Sequence, residues 1–153
     1  MTLSRILVVC LGNICRSPLG EHALKHALKD YSITVESAGT SNWHEGGRYD
    51  ARSIKAGKKL GWPMTGTSRP VRADDFSKFD LLLAMDQDNY ATLQKMCPKD
   101  IHYKIKMFRE WDPVNDGSLD VEDPYYSASR NAFDDVAQQC YRVAKQFAAT
   151  INE

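Results

Sequence analysis

Apolar positions recur along the chain with two different periods. Short apolar runs at residues 5–9, 33–37, 81–85 and 103–108 have the length of strands, and Ile6-Leu7-Val8-Val9 is continuous enough to be buried on both sides. Between them the apolar residues return every three or four positions, the period of a helix. Leu19, Ala23, Leu24, Ala27 and Leu28 make one stripe, residues 51–60 a second that Gly61 stops, and residues 87–96 a third ended by Pro98. A short turn falls at residues 74–76. The longest stripe comes last, running from Ala132 and Phe133 through Val136, Cys140, Val143 and Phe147 to Ile151, which makes Cys140 a core residue. Strands that alternate with helices predict an α/β fold, a four-stranded parallel sheet with helices on both faces, because each parallel connection must cross over the sheet. No repeat or linker divides the chain, so residues 1–153 read as a single domain.

In such a sheet, ligands bind beyond the carboxyl ends of the strands. The first strand runs into Cys10-Leu11-Gly12-Asn13-Ile14-Cys15-Arg16-Ser17-Pro18, the second toward Gly39 and Trp43, the third into Met85-Asp86, and the fourth into residues 109–126. Ser17 suits a helix N-cap and Pro18 the first helical position, so a loop ends here at the positive pole of a helix. Amides of such a loop, turned inward, form a concave anion site of phosphate size. A cysteine facing those amides and a guanidinium is set up as a thiolate nucleophile, which points to Cys10. The planar fork of Arg16 matches two phosphate oxygens and stabilises charge on them as a bond breaks. A dinucleotide cradle would need further glycines, which Leu11-Gly12-Asn13 lacks.

Departure of an alkoxide or phenoxide needs a proton, for which the last loop offers Asp112, Asp116, Asp120, Glu122 and Asp123. Composition does not choose among them. Trp43, Tyr125 and Tyr126 fall on loops at the same edge, where aromatic faces beside the thiolate form a slot for a planar phenyl phosphate. A deep slot leaves phosphoserine too short to reach.

Composition narrows the setting. Lys and Arg together number 20, as do Asp and Glu, so no overall charge draws the chain to nucleic acid or an acidic membrane. The apolar run at residues 6–9 is too short for a signal peptide, and none is long enough to span a bilayer, which makes the cytoplasm the expected compartment. Cys10, Cys15, Cys97 and Cys140 lack paired metal spacing and read as free thiols. His22 and His26 lie four apart on a helix without a third ligand, the pattern of a solvated pair. Arg48, Arg52, Lys55, Lys58 and Lys59 read as a wet helix face.

Taken together, residues 9–18 and the distant Asp123-Pro124-Tyr125-Tyr126 resemble the low-molecular-weight protein tyrosine phosphatases. Ser37-Ala38-Gly39-Thr40, Trp43 and Met85-Asp86 extend the similarity over essentially the whole chain. The resemblance implies a flavodoxin/Rossmann-like phosphatase fold and hydrolysis of phosphotyrosine and small aryl phosphates through a phosphocysteine, with no metal or other cofactor. It assigns catalysis to Cys10 and Arg16 and picks Asp123 as the acid. Substrate binding falls to Leu11, Gly12, Asn13, Ile14, Cys15 and Ser17, with Trp43, Tyr125 and Tyr126 as walls. Ser37 and Asp86 support the loop, and a reversible disulfide between Cys10 and Cys15 protects the nucleophile. The implied partners are a phosphotyrosine-containing protein, in bacterial relatives a tyrosine kinase, and phosphate or other oxyanions in the loop. One stretch departs: many relatives carry a histidine where this chain has Thr65-Gly66-Thr67-Ser68. Arsenate reduction on the same fold would need relay cysteines, and Cys97 and Cys140 lie far apart. A non-catalytic phosphate-binding module would not need Asp123.

Overall fold

The sheet is laid around β1 (Arg5–Cys10), whose residues Ile6, Leu7, Val8 and Val9 are all 0% exposed in the computed structural model, which describes residues 2–151. β2 (Thr34–Gly39) pairs on one side of it and β3 (Leu81–Ala84) on the other, with β4 (Ile105–Met107) beyond β3. Every pairing is parallel. Because strand side chains alternate, β1 feeds two cores. Ile6 and Val8 pack with Leu19 and Leu24 of α1 (Arg16–Ala27), Ala56 of α2 (Ala51–Lys59) and Val136, Cys140 and Phe147 of α5 (Ala132–Ile151). Leu7 and Val9 pack on the opposite face with Phe76 of α3 (Asp75–Lys78) and Leu93 of α4 (Gln87–Met96). The chain therefore has the α/β architecture its periodicity predicts.

The order β2-β1-β3-β4 makes the end of β1 a switch point, where the chain leaves toward opposite sides and a crevice opens. Two carboxylates cap helices beside that crevice. Asp50 accepts from the Arg52 amide at the start of α2, and Asp86 accepts from the Asn89 amide at the start of α4, both at 2.8 Å.

Three local expectations differ. The fourth strand shrinks to three residues, because residues 99–104 and 108–111 wind as 3-10 helices and β4 has only β3 to pair with, which ends at Ala84. The second strand starts at Thr34, where its pairing with Arg5 begins. α1 opens at Arg16 with Cys15 as its cap, so Ser17 and Pro18 are its second and third residues. Pro18 still sits among the amides that lack an intrahelical acceptor, and its ring costs no bond. Among the described residues no helix is long and apolar enough to cross a membrane.

Candidate active site

The loop from Cys10 to Arg16 is turned by what surrounds it. The Cys10 carbonyl accepts from the Thr40 amide at 2.9 Å, and that of Leu11 from the Ser41 amide and hydroxyl, both at 3.0 Å. Gly12 O accepts from Ser68 Oγ, Ile14 O from the Asp50 amide and Cys15 O from Ser53 Oγ, each at 2.9 Å. With these carbonyls drawn outward, the amides are left to line the cup, at the start of a 12-residue helix. Close approach makes this possible: a Cβ on Gly39 would lie 2.7 Å from the Leu11 carbonyl oxygen. Asn13 takes the left-handed conformation at φ 55°, one that asparagine tolerates.

The Asn13 side chain fixes the polarity of a buried chain of hydrogen bonds. Its Oδ1 accepts from the Arg69 amide at 3.0 Å, while Nδ2 donates to Ser17 Oγ at 2.8 Å and to Ser37 Oγ at 2.9 Å. Ser17 Oγ lies 3.0 Å from Cys10 Sγ, and since it accepts from Asn13 its own hydrogen is available to donate to the sulfur, the arrangement that suits a thiolate. As the second residue of α1, Ser17 lies inside the helix and turns its hydroxyl to the sulfur, not to a free amide. Ser37 donates to Glu21 Oε1 at 2.5 Å, and Glu21 is paired with Lys25 at 2.7 Å. The stretch lacking histidine supplies the loop through Ser68 and the Arg69 amide.

Arg16 is 3% exposed. One terminal nitrogen donates to Asp86 Oδ2 at 2.7 Å and to the Val121 carbonyl at 2.9 Å, and the other lies 3.6 Å from Asp123 Oδ2. Burial alone would lower its pKa, yet the Cys10 sulfur and the Asp86 carboxylate outweigh burial and raise it. Val121 donates its amide to the Met85 carbonyl at 2.7 Å, which hangs the last loop from the end of β3. Cys15 is buried, and desolvation, followed by the charges of Asp50 and Cys10, pushes its thiol well above the usual range.

A cavity of about 270 Å³ opens over these groups, lined by Cys10, Leu11, Gly12, Ile14, Cys15, Arg16, Trp43, His44, Asp123, Tyr125 and Tyr126. Trp43 and Tyr126 are 72% and 89% exposed, so neither covers the core. Tyr126 meets Tyr125 edge to face at 4.8 Å, and Arg52 stacks over the Tyr125 ring at 5.3 Å and the Phe133 ring at 4.5 Å. Arg52 also grips Asp50 through two side-chain nitrogens at 2.8 and 3.0 Å, so it braces the aromatic wall and is not part of a merely wet face. Every site residue predicted from sequence lies in this cavity or in its supporting bonds. Sequence reasoning missed His44, next to Trp43 in the same loop, Ser53 and Ser68, which bond loop carbonyls, and Glu21, which acts on the loop through Ser37.

The predicted solvated histidine pair is half right. His26 is exposed, whereas His22 is buried with Nε2 2.9 Å from the Thr65 carbonyl, because this part of α1 is covered on all sides. Burial lowers its pKa, more than the Glu21 charge raises it. Among the described residues no three His, Cys, Asp or Glu side chains group as a metal site.

Residues 5–153 match the model of the family described as low molecular weight phosphotyrosine protein phosphatase. Low molecular weight phosphotyrosine protein phosphatase 1 of Drosophila melanogaster is 35% identical over 139 residues, 89% of each chain. A protein tyrosine phosphatase from Entamoeba histolytica, solved with Hepes in its active site, superposes with a TM-score of 0.89 at 35% identity and 97% coverage of both chains. The tyrosine phosphatase Wzb from Escherichia coli K30, solved with sulphate, gives 0.85 at 29% identity, covering 98% of this chain and 99% of its own. A cup built by outward-turned carbonyls at a strand-to-helix switch point, and sequence similarity over nearly every residue, lead to one conclusion: the chain belongs to the low molecular weight phosphotyrosine protein phosphatase family.

Proposed function

We propose that the protein hydrolyses phosphotyrosine in proteins by transferring the phosphoryl group to Cys10. The phosphate seats in the loop, its non-bridging oxygens taken by the amides of residues 11–16 and the Arg16 fork. Cys10 Sγ attacks phosphorus opposite the phenolic oxygen; the S–P bond forms as the P–O bond breaks, and Asp123 delivers its proton to the departing oxygen. Water, deprotonated by the Asp123 carboxylate, then cleaves the S–P bond, returning phosphate and the thiolate. The observation that carries this reading is the meeting of Cys10 and Arg16 of the first loop with Asp123 of the distant last loop in one cavity.

Trp43 and Tyr125 suit the two faces of an aryl ring, with Tyr126 at the rim. The protein partner is thus a phosphotyrosine-bearing chain, a class that includes autophosphorylated tyrosine kinases, and the compartment is the cytoplasm. Wzb was solved with sulphate, an oxyanion of phosphate size.

Hydrolysis of an aryl phosphate in EDTA tests the chemistry. Cys10→Ser is expected to abolish turnover, Arg16→Lys to lower kcat/KM roughly 10²- to 10⁴-fold, and Asp123→Asn to lower kcat chiefly for poor leaving groups. Full activity in Cys10→Ser, or a strict metal requirement, refutes the mechanism.

A further inference from the structure

The first turn of α2 is fastened to the phosphate loop. The Asp50 amide donates to the Ile14 carbonyl and Ser53 Oγ to the Cys15 carbonyl, both at 2.9 Å. Arg52 stands between these two anchors in sequence, and Asp50 locks its guanidinium: Nε donates to Oδ1 at 3.0 Å and Nη2 to Oδ2 at 2.8 Å, a two-point fork that lysine cannot make. The locked cation lies over the Phe133 ring of α5 at 4.5 Å and over the Tyr125 ring at 5.3 Å. Its remaining nitrogen, Nη1, donates to the Tyr125 carbonyl in a long bond of 3.4 Å. Tyr125 is therefore held by its ring and by its backbone from a helix start that also supports the cup.

The Tyr125 amide in turn donates to Asp123 Oδ1 at 3.1 Å, while Asp123 Oδ2 lies 3.6 Å from Arg16, on the side of the cup. In a protonated carboxyl the carbonyl oxygen is the better acceptor, so the amide takes Oδ1 and leaves the proton on Oδ2, the oxygen nearer the phosphate. We propose that Arg52 is a positioning residue for Asp123: pinned to α2 by Asp50, it holds the Tyr125 amide on Oδ1 and so aims Oδ2 at the leaving oxygen. Val121 holds the same segment on the other side of Asp123, through the Met85 carbonyl and Arg16. Fixed before and after Asp123, the carboxyl gives its proton to the phenolic oxygen and, as a carboxylate, takes one from water without having to be repositioned.

This role rests on Asp123 being the acid of the proposed reaction. Arg52→Met keeps the stem and deletes the fork, and Arg52→Lys keeps the charge without it. For both, kcat/KM is expected to fall roughly ten- to thirty-fold on phenyl phosphate, whose phenoxide leaves poorly, and about three-fold or less on p-nitrophenyl phosphate. Alkylation of Cys10 by iodoacetate is expected to keep the parent rate within about two-fold, because the amide and Ser53 anchors of α2 remain and the cup is intact. In an Asp123→Asn background, Arg52→Met is expected to add no further dependence on the leaving group. Equal losses on the two substrates, no loss on either, slowed alkylation to match, or full additivity with Asp123→Asn would each overturn the role of Arg52. Asp123→Asn assayed alone separates the two levels. If it loses phenyl phosphate selectively while Arg52→Met matches the parent, only the role of Arg52 fails; if it treats both substrates alike, the assignment of the acid itself fails.

Discussion

At the scale of single residues, the cup works because its charged and polar groups are held before any substrate arrives. One nitrogen of Arg16 is pinned by Asp86 and the Val121 carbonyl, which sets the plane in which the rest of the fork meets phosphate oxygens. Cys15 shares the cavity with Cys10, and its raised pKa keeps it a neutral thiol that does not compete for phosphate. Its place beside Cys10 in the same cavity is the ground on which we propose it as the resolving thiol. In that proposal peroxide would convert Cys10 to the sulfenic acid, and Cys15, losing its proton as it attacks that sulfur, would form an S–S bond and release water. Parent enzyme treated with peroxide should regain most of its activity with dithiothreitol, and Cys15→Ala several-fold less; equal recovery would remove Cys15 from the pathway. Cys10, Cys15 and Arg16 were legible from sequence because one short loop carries them in order. Glu21 was not, because its meaning lies in a contact with Ser37 that only the fold creates.

Among elements, one carboxylate ties the segment that carries Asp123 to α5. Asp112 is bound by Arg109 Nε at 2.8 Å and by Arg142 of α5 at 2.9 and 3.0 Å, and Arg109 in turn donates to the Asp120 carbonyl at 2.9 Å. Burial opposes its ionisation, yet hydrogen bonds from Arg142, the Val114 amide and Arg109 outweigh burial and take Asp112 down to about 2. An unfolded Asp titrates near about 3.9, so the folded form gains stability that is complete above that pH and is lost as pH falls toward about 2. Urea midpoints measured from pH 5 to pH 2 should fall accordingly. Asp112→Asn should be destabilised by about 3 kcal/mol at pH 7, as expected for breaking a buried pair, and lose part of that slope. An unchanged slope would show that Asp112 does not carry it. The acid loop illustrates where periodicity ends as a guide. Residues 109–131 have no repeating stripe, and their shape is held by Arg109, Arg142 and the Val121 backbone, whose partners no spacing rule selects.

For the molecule as a whole, the strand order was the consequential fact. β1 lies between β2 and β3, so the ends of distant strands converge on the first loop and bring Trp43, Asp86 and Asp123 to Cys10. The α/β class was readable from alternating strand and helix patterns. The exact extent of β4 was not, because an edge strand ends where its neighbour does. The same convergence turns a chain with no net charge into one with a local anion site, since attraction here comes from amides and one buried guanidinium. The most direct measurement is rapid acid quenching of the enzyme during turnover of a labelled aryl phosphate, followed by peptide mapping. The label is expected on the peptide containing Cys10, with the amount rising in Asp123→Asn as hydrolysis of the intermediate slows. Label on any other residue, or turnover with no covalent phosphoryl group at any time, would contradict the account.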